Sequence, residues 1–169
     1  MAVALAAFDA SVVVLTEDGE QQVPLADLYR SPGEQPQRDT NLPGGALIIG
    51  VELPALPMAV NSSYRKVRDR ASYAFAVASV GAVLVVTDGQ IADIRIGLGA
   101  VAHKPWRART AEAQLVGVQP TRAAFTAAIA AELEAAEPLE DNAFKVPLVT
   151  NLVATTLVEL TAAGTGAQL

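Results

Sequence analysis

The stretch YAFAVASVGAVLVVTDGQIADIRIGLGAVA, residues 73–102, places two apolar runs on either side of Asp88-Gly89. An Asp-Gly pair between strand-like runs signals a hairpin, because both residues accept the positive φ that tight strand connections need. In the second run Ala92, Ile94, Ile96, Leu98 and Ala100 fall on one face, and Asp93 and Arg95 on the other. That period of two leaves one face wet and predicts an antiparallel sheet. The uncharged run 71–87 also raises the question of a membrane span. It stops short of the roughly 20 apolar residues such a span requires and is rich in β-branched residues, so a buried strand explains it better.

Working outward, residues 63–69 alternate Tyr64, Lys66 and Arg68 against Arg65, Val67 and Asp69, and supply a third strand. Downstream, residues 110–117, 120–136 and 142–160 read as helices. The second opens on Pro120 as a first-turn proline, with Phe125, Ile129 and Leu133 on one stripe; the third aligns Val149, Val153, Leu157 and Leu160, with Pro147 tolerable in its first turn. The tail 161–169 is expected to fray. Toward the N-terminus, residues 11–16 and 21–24 flank the turn EDGE as a hairpin, residues 25–30 form one or two helical turns, and the Pro- and Gly-rich segment 31–45 is a loop. Residues 46–54 follow as a buried strand ended by proline, with a subdomain boundary near residue 58. Residues 1–9 have the composition of an apolar helix but offer no N-cap side chain. The fold class is α+β, with a three-stranded antiparallel sheet covered on one face by helices.

The hydrophobic fraction of 51% can fill a core, so disorder is not expected. Cysteine is absent, which removes disulfides, thiolate nucleophiles and cysteine-held metal clusters from this chain. His103 is the one histidine, so the chain alone cannot build a two-histidine metal site. A net charge of −6 disfavours nucleic acid as a partner. Residues 1–10 lack the basic start of a secretory signal, and no membrane segment is expected, so the reading is a cytoplasmic protein. Gly97 and Gly99 lack the third glycine and the following helix of a nucleotide loop; they are better read as admitting a neighbouring backbone or a large side chain. Trp106 reads as an anchor between helices and sheet, and the acidic run 134–141 as a solvated helix end. No nucleophile with a base, and no carboxylate pair, converges on one site. The stretch SSYRKVRDRAS, residues 62–72, gathers Arg65, Lys66, Arg68 and Arg70. It is either a charged edge strand or a cradle for an anion.

The segments SSYRKVRDRASYAFAVASVGAVL, RIGLGAVAHKPWRA, NAFKVPLVTNLV and YRSPGEQPQRDTNLPGGALIIGVELP resemble flavoprotein subunits of the molybdenum hydroxylase family, which includes xanthine dehydrogenase and carbon monoxide dehydrogenase. The resemblance implies an oxidoreductase subunit in which residues 1–56 are the end of a PCMH-type FAD-binding domain. Residues 60–163 would then form the family's C-terminal domain. It implies FAD as cofactor, with the main phosphate-holding segment outside these residues, so that the chain alone binds FAD weakly or not at all. Carried over to this sequence, Arg38 reaches the cofactor, Ile48 lies beside the flavin, and Lys66 faces the cleft, with Arg65 as the alternative one residue away. No catalytic or metal-ligating residue is implied. The expected partners are an iron–sulfur subunit and a molybdopterin subunit, with self-association possible through strands left uncovered. The rival expectation is a non-catalytic interaction module that keeps a partner surface and holds no flavin.

Overall fold

Two antiparallel sheets organise the chain, one of three strands in the order β2-β1-β3 and one of four in the order β4-β5-β6-β7. The computed structural model describes residues 1–166. In the small sheet β1 (Ser11–Thr16) and β2 (Gly19–Pro24) form the expected hairpin, with Gly19 at φ +106° in its turn. Val12 and Val14 point to the same side of β1 and bury against Leu25 and Leu28 of α2 (Leu25–Leu28). The third strand, β3 (Leu47–Glu52), pairs with the other edge of β1. It is a strand as expected, but it is not buried: Leu47 is 60% exposed and Ile48 45%, and Ile49, Val51 and Leu53 are comparably open. An apolar run specifies strand propensity, whereas burial depends on whether another layer lies over it. Here α2 packs against β1 and β2 rather than over β3.

A 3₁₀ turn at Pro57–Val60 leads into the large sheet of β4 (Ser62–Val67), β5 (Ala78–Thr87), β6 (Gln90–Gly99) and the two-residue β7 (Trp106–Arg107). The sheet thus has four strands rather than the expected three. Asp88 and Gly89 both take positive φ, 52° and 74°, between the paired Thr87 and Gln90, which is the conformation of a type I′ turn. β5 begins at Ala78 rather than at residue 73, because residues 68–77 bend away from the ladder.

One face of this sheet carries Ala78, Val80, Ala82 and Leu84 of β5 with Ile94, Ile96 and Leu98 of β6. They bury against α3 (Arg109–Leu115), α4 (Arg122–Glu132) and α5 (Lys145–Gly166), chiefly through Phe125, Ile129, Val149, Val153 and Leu157. The helix α4 starts later than expected. Thr121 is its N-cap and accepts a hydrogen bond from the Ala124 N–H at 3.2 Å, so Pro120 lies before the helix and not in its first turn. The helix α5 does not fray at residue 161 but continues through Gly166. Asn61 holds its later turns, its Nδ2 donating to the Leu160 carbonyl at 3.2 Å and to Leu84 of β5 at 2.7 Å. Residues 167–169 of the expected frayed tail lie outside the described residues. By length and composition alone α5 could cross a membrane, yet its Val149, Val153, Leu157 and Leu160 stripe is part of the core.

The other face was expected to be bare of helices, but α1 (Ala2–Ala7) lies on it. It fits because β5 and β6 present Gly81, Gly97 and Gly99 there. A Cβ on Gly97 would stand 2.7 Å from the Val3 carbonyl oxygen, and one on Gly99 would collide with the Val3 side chain. The two glycines therefore serve the close backbone approach expected of them. Gly97→Ala should lower stability by about 1–3 kcal/mol, since a helix carbonyl cannot step aside as a flexible side chain can. Thermal denaturation followed by circular dichroism checks this, and an unchanged Tm would mean that α1 is not seated on β6.

Candidate functional site

Strand alternation sorts the basic residues of the 62–72 stretch to different tasks. Ser63, Arg65 and Val67 point to the helix side of β4, and Arg65 pairs with Glu159 of α5 at 3.0 Å. Tyr64 and Lys66 point the other way and are exposed. The Lys66 ammonium donates to the Ala74 carbonyl at 2.9 Å. Arg70 donates through Nε to the Tyr73 carbonyl at 3.0 Å, and its guanidinium lies 5.9 Å from the centre of the Tyr73 ring. Lys66 and Arg70 thus pin a bend that carries two bare aromatic rings, Tyr73 at 94% exposure and Phe75 at 97%.

Tyr73 also has φ +52°, a left-handed conformation that costs a bulky residue energy and persists only where its surroundings impose it. Two hydrogen-bonded cations impose it here. Strained, exposed and fixed is a combination that core packing does not require, and reading the sequence did not single out Tyr73. The signal was present only as Arg-Ala-Ser-Tyr, in which Ala71 and Ser72 are small enough to allow a bend between Arg70 and the ring.

The other candidates are placed apart. Ile48 lies on β3 of the small sheet, exposed beside Leu47 and Ile49. Arg38 is exposed within the loop between α2 and β3, where its N–H donates to the Gln35 carbonyl at 3.1 Å. Among the described residues, no hydrogen bond or ion pair joins Arg38, Ile48 and Lys66. Arg65 is separated from Lys66 by its side of the strand: it is engaged by Glu159, whereas Lys66 stands on the open face with Tyr64.

A second polar cluster went unread in the sequence. Asp9, between α1 and β1 at φ +50°, accepts from Arg95 at 2.5 Å, Arg107 at 2.7 Å and Arg109 at 2.8 Å. Arg107 also donates to the Ala6 carbonyl at 2.8 Å and pairs with the buried Glu112. Trp106 anchors helices to sheet as expected, packing on the core while its indole N–H donates to the buried Glu132 at 2.8 Å. This network ties the end of α1 to β6, β7 and α3. Its carboxylates are occupied by structural partners, so its role is to hold elements together. No described group of three or more acidic or histidine side chains is arranged to hold a metal ion.

The family model of the CO dehydrogenase flavoprotein C-terminal domain matches residues 62–160. Over 160 residues the chain is 43% identical to the aldehyde oxidoreductase FAD-binding subunit PaoB of Escherichia coli (strain K12), covering 94% of this chain and 47% of that one. Among solved structures, carbon monoxide dehydrogenase from Hydrogenophaga pseudoflava superposes with a TM-score of 0.80 at 27% identity, over 94% of this chain and 55% of that one. A chain of reconstituted CO dehydrogenase from Oligotropha carboxidovorans gives 0.83 at 21% identity, covering 96% and 56%, a likeness of fold. The chain spans about half the length of the relatives it matches.

Proposed function

The chain belongs to the CO dehydrogenase flavoprotein C-terminal domain family, within the flavoproteins of the molybdenum hydroxylases, and on that premise we propose that it flanks the flavin of an FAD-binding subunit. The observation that carries this is the bend at residues 68–77, where an exposed ring in a strained backbone stands beside a lysine hydrogen-bonded to the next residue. When bound, FAD supplies the electron-transfer chemistry between iron–sulfur clusters and an acceptor, in a complex whose molybdopterin subunit oxidises the substrate. The relatives named an aldehyde oxidoreductase subunit and a CO dehydrogenase support that class of complex.

The residues present fit part of FAD. Tyr73 and Phe75 offer apolar surface to a planar ring and Lys66 offers positive charge, while Ile48 and Arg38, placed apart from that bend, would meet a different part of the cofactor. In the flavin-loaded subunit these residues would orient the ring and neutralise charge. On this reading the pyrophosphate is held by another segment of the subunit. The uncovered faces of β3 support the further reading that residues 1–56 complete a FAD-binding domain with another segment. Residues 60–163 then form the domain that closes over it.

In the flavin-loaded assembly, Lys66→Ala should weaken FAD about tenfold, the scale of a hydrogen bond to a charged group. Tyr73→Ala should weaken it roughly three- to tenfold, as for the loss of one aromatic contact. Arg65→Ala should leave FAD affinity unchanged while removing the Glu159 pair. Flavin fluorescence titration measures all three. Equal losses for Arg65→Ala and Lys66→Ala would overturn the placement of the flavin on the Lys66 face.

A further inference from the structure

We propose that the cleft between the small sheet and the loop at residues 102–107 binds a small amphipathic monocarboxylate, with a flat apolar body and one anionic head. The cleft has a volume of about 690 Å³, within the range of small-molecule sites. Its apolar walls come from Ala10, Leu25 and Tyr29 on one side and from Pro105 and Trp106 on the other. Its charged residues are Asp9, Lys104, Arg107 and Arg109, three basic against one acidic, in a chain whose net charge is −6.

The wall already recognises a carboxylate. Arg107 and Arg109 both donate to Oδ1 of Asp9, the planar-donor recognition that suits guanidinium to carboxylate. Arg109 remains 64% exposed, with donors left over, and Lys104 makes no hydrogen bond or ion pair among the described residues. Counting the surrounding groups, Arg95, Arg107, Arg109 and Lys104 face Asp9, Asp93 and Glu112, which leaves one positive charge uncompensated. One surplus charge suits a monoanion, and mostly apolar walls suit an aromatic or aliphatic body rather than a sugar or a free phosphate. The cleft is separate from the 68–77 bend and does not depend on the flavin reading.

Trp106 is the only tryptophan and lines the cleft, so intrinsic fluorescence reports on its occupancy. Sodium benzoate, added to the full chain at constant ionic strength, is expected to change that emission saturably, with a Kd on the order of 1 mM for so small a ligand. Lys104→Ala, an exposed and unpaired position, should raise that Kd at least about fivefold while leaving the far-ultraviolet dichroism unchanged. Benzyl alcohol, which keeps the ring and lacks the charge, should bind correspondingly more weakly. The proposal is overturned by a linear, unsaturating response to benzoate, by equal binding of benzoate and benzyl alcohol, or by a correctly folded Lys104→Ala chain with unchanged Kd.

Discussion

Replacing Glu112 by alanine should cost about 3–5 kcal/mol of stability, the range for breaking a buried ion pair from one side. Glu112 is 7% exposed and accepts the Ile96 N–H at 2.6 Å as well as the Arg107 guanidinium. The reason lies in the shortness of β7. It pairs with β6 only at Gly97 and Leu98, so the next N–H of β6 has no strand opposite it and takes the carboxylate instead. Alanine would leave that N–H without its partner and strip the largely buried guanidinium of one of its two carboxylates. Arg107 would also lose alignment toward Ala6 and Asp9, loosening α1. Glu112→Gln keeps an acceptor of the same shape and should cost less. Urea denaturation compares the three chains, and a loss below about 1 kcal/mol for the alanine variant would show that the pair is a surface contact in solution.

Adding the portion of the E. coli subunit that this chain does not cover should slow amide exchange in β3 by about 100-fold. A partner present at a hundredfold excess over its Kd stabilises the bound form by about 2.7 kcal/mol. The β3 strand is the place to look, because Leu47, Ile49 and Val51 expose contiguous apolar surface of the kind that marks an interface. Without that portion, the same strand should drive self-association at high concentration through its open edge. Unchanged β3 exchange, in a chain that stays monomeric, would contradict the proposal that this face receives another segment.

Where information is local, the residues were readable. Asp88-Gly89 specified a two-residue turn by the φ values it tolerates, and the alternation in β6 specified which side meets the helices. Gly97 and Gly99 were correctly read as room for a neighbour, although α1 could not be named as that neighbour from spacing alone. Misreadings arose where the deciding partner is remote. Val-Ile-Leu composition marked β3 as a strand but could not show that nothing covers it. Arg95 looked solvated by its strand phase, yet its partner Asp9 lies 86 residues away. Lys66 and Arg65 differ by one position in sequence and by opposite faces in space, which a resemblance of motif does not resolve. Tyr73 escaped notice because its left-handed backbone is held by Arg70 and Lys66 rather than encoded by a glycine.

The proposal that this chain flanks a flavin held jointly with another segment is tested most directly by the visible flavin absorption that survives desalting. The chain alone should lose added FAD. Combined with the uncovered portion of the E. coli subunit, it should retain FAD in equimolar amount, and Lys66→Ala should reduce that retention. Tight equimolar FAD on the chain by itself would contradict the joint-site proposal, and a combined assembly that holds no flavin would contradict the assignment altogether.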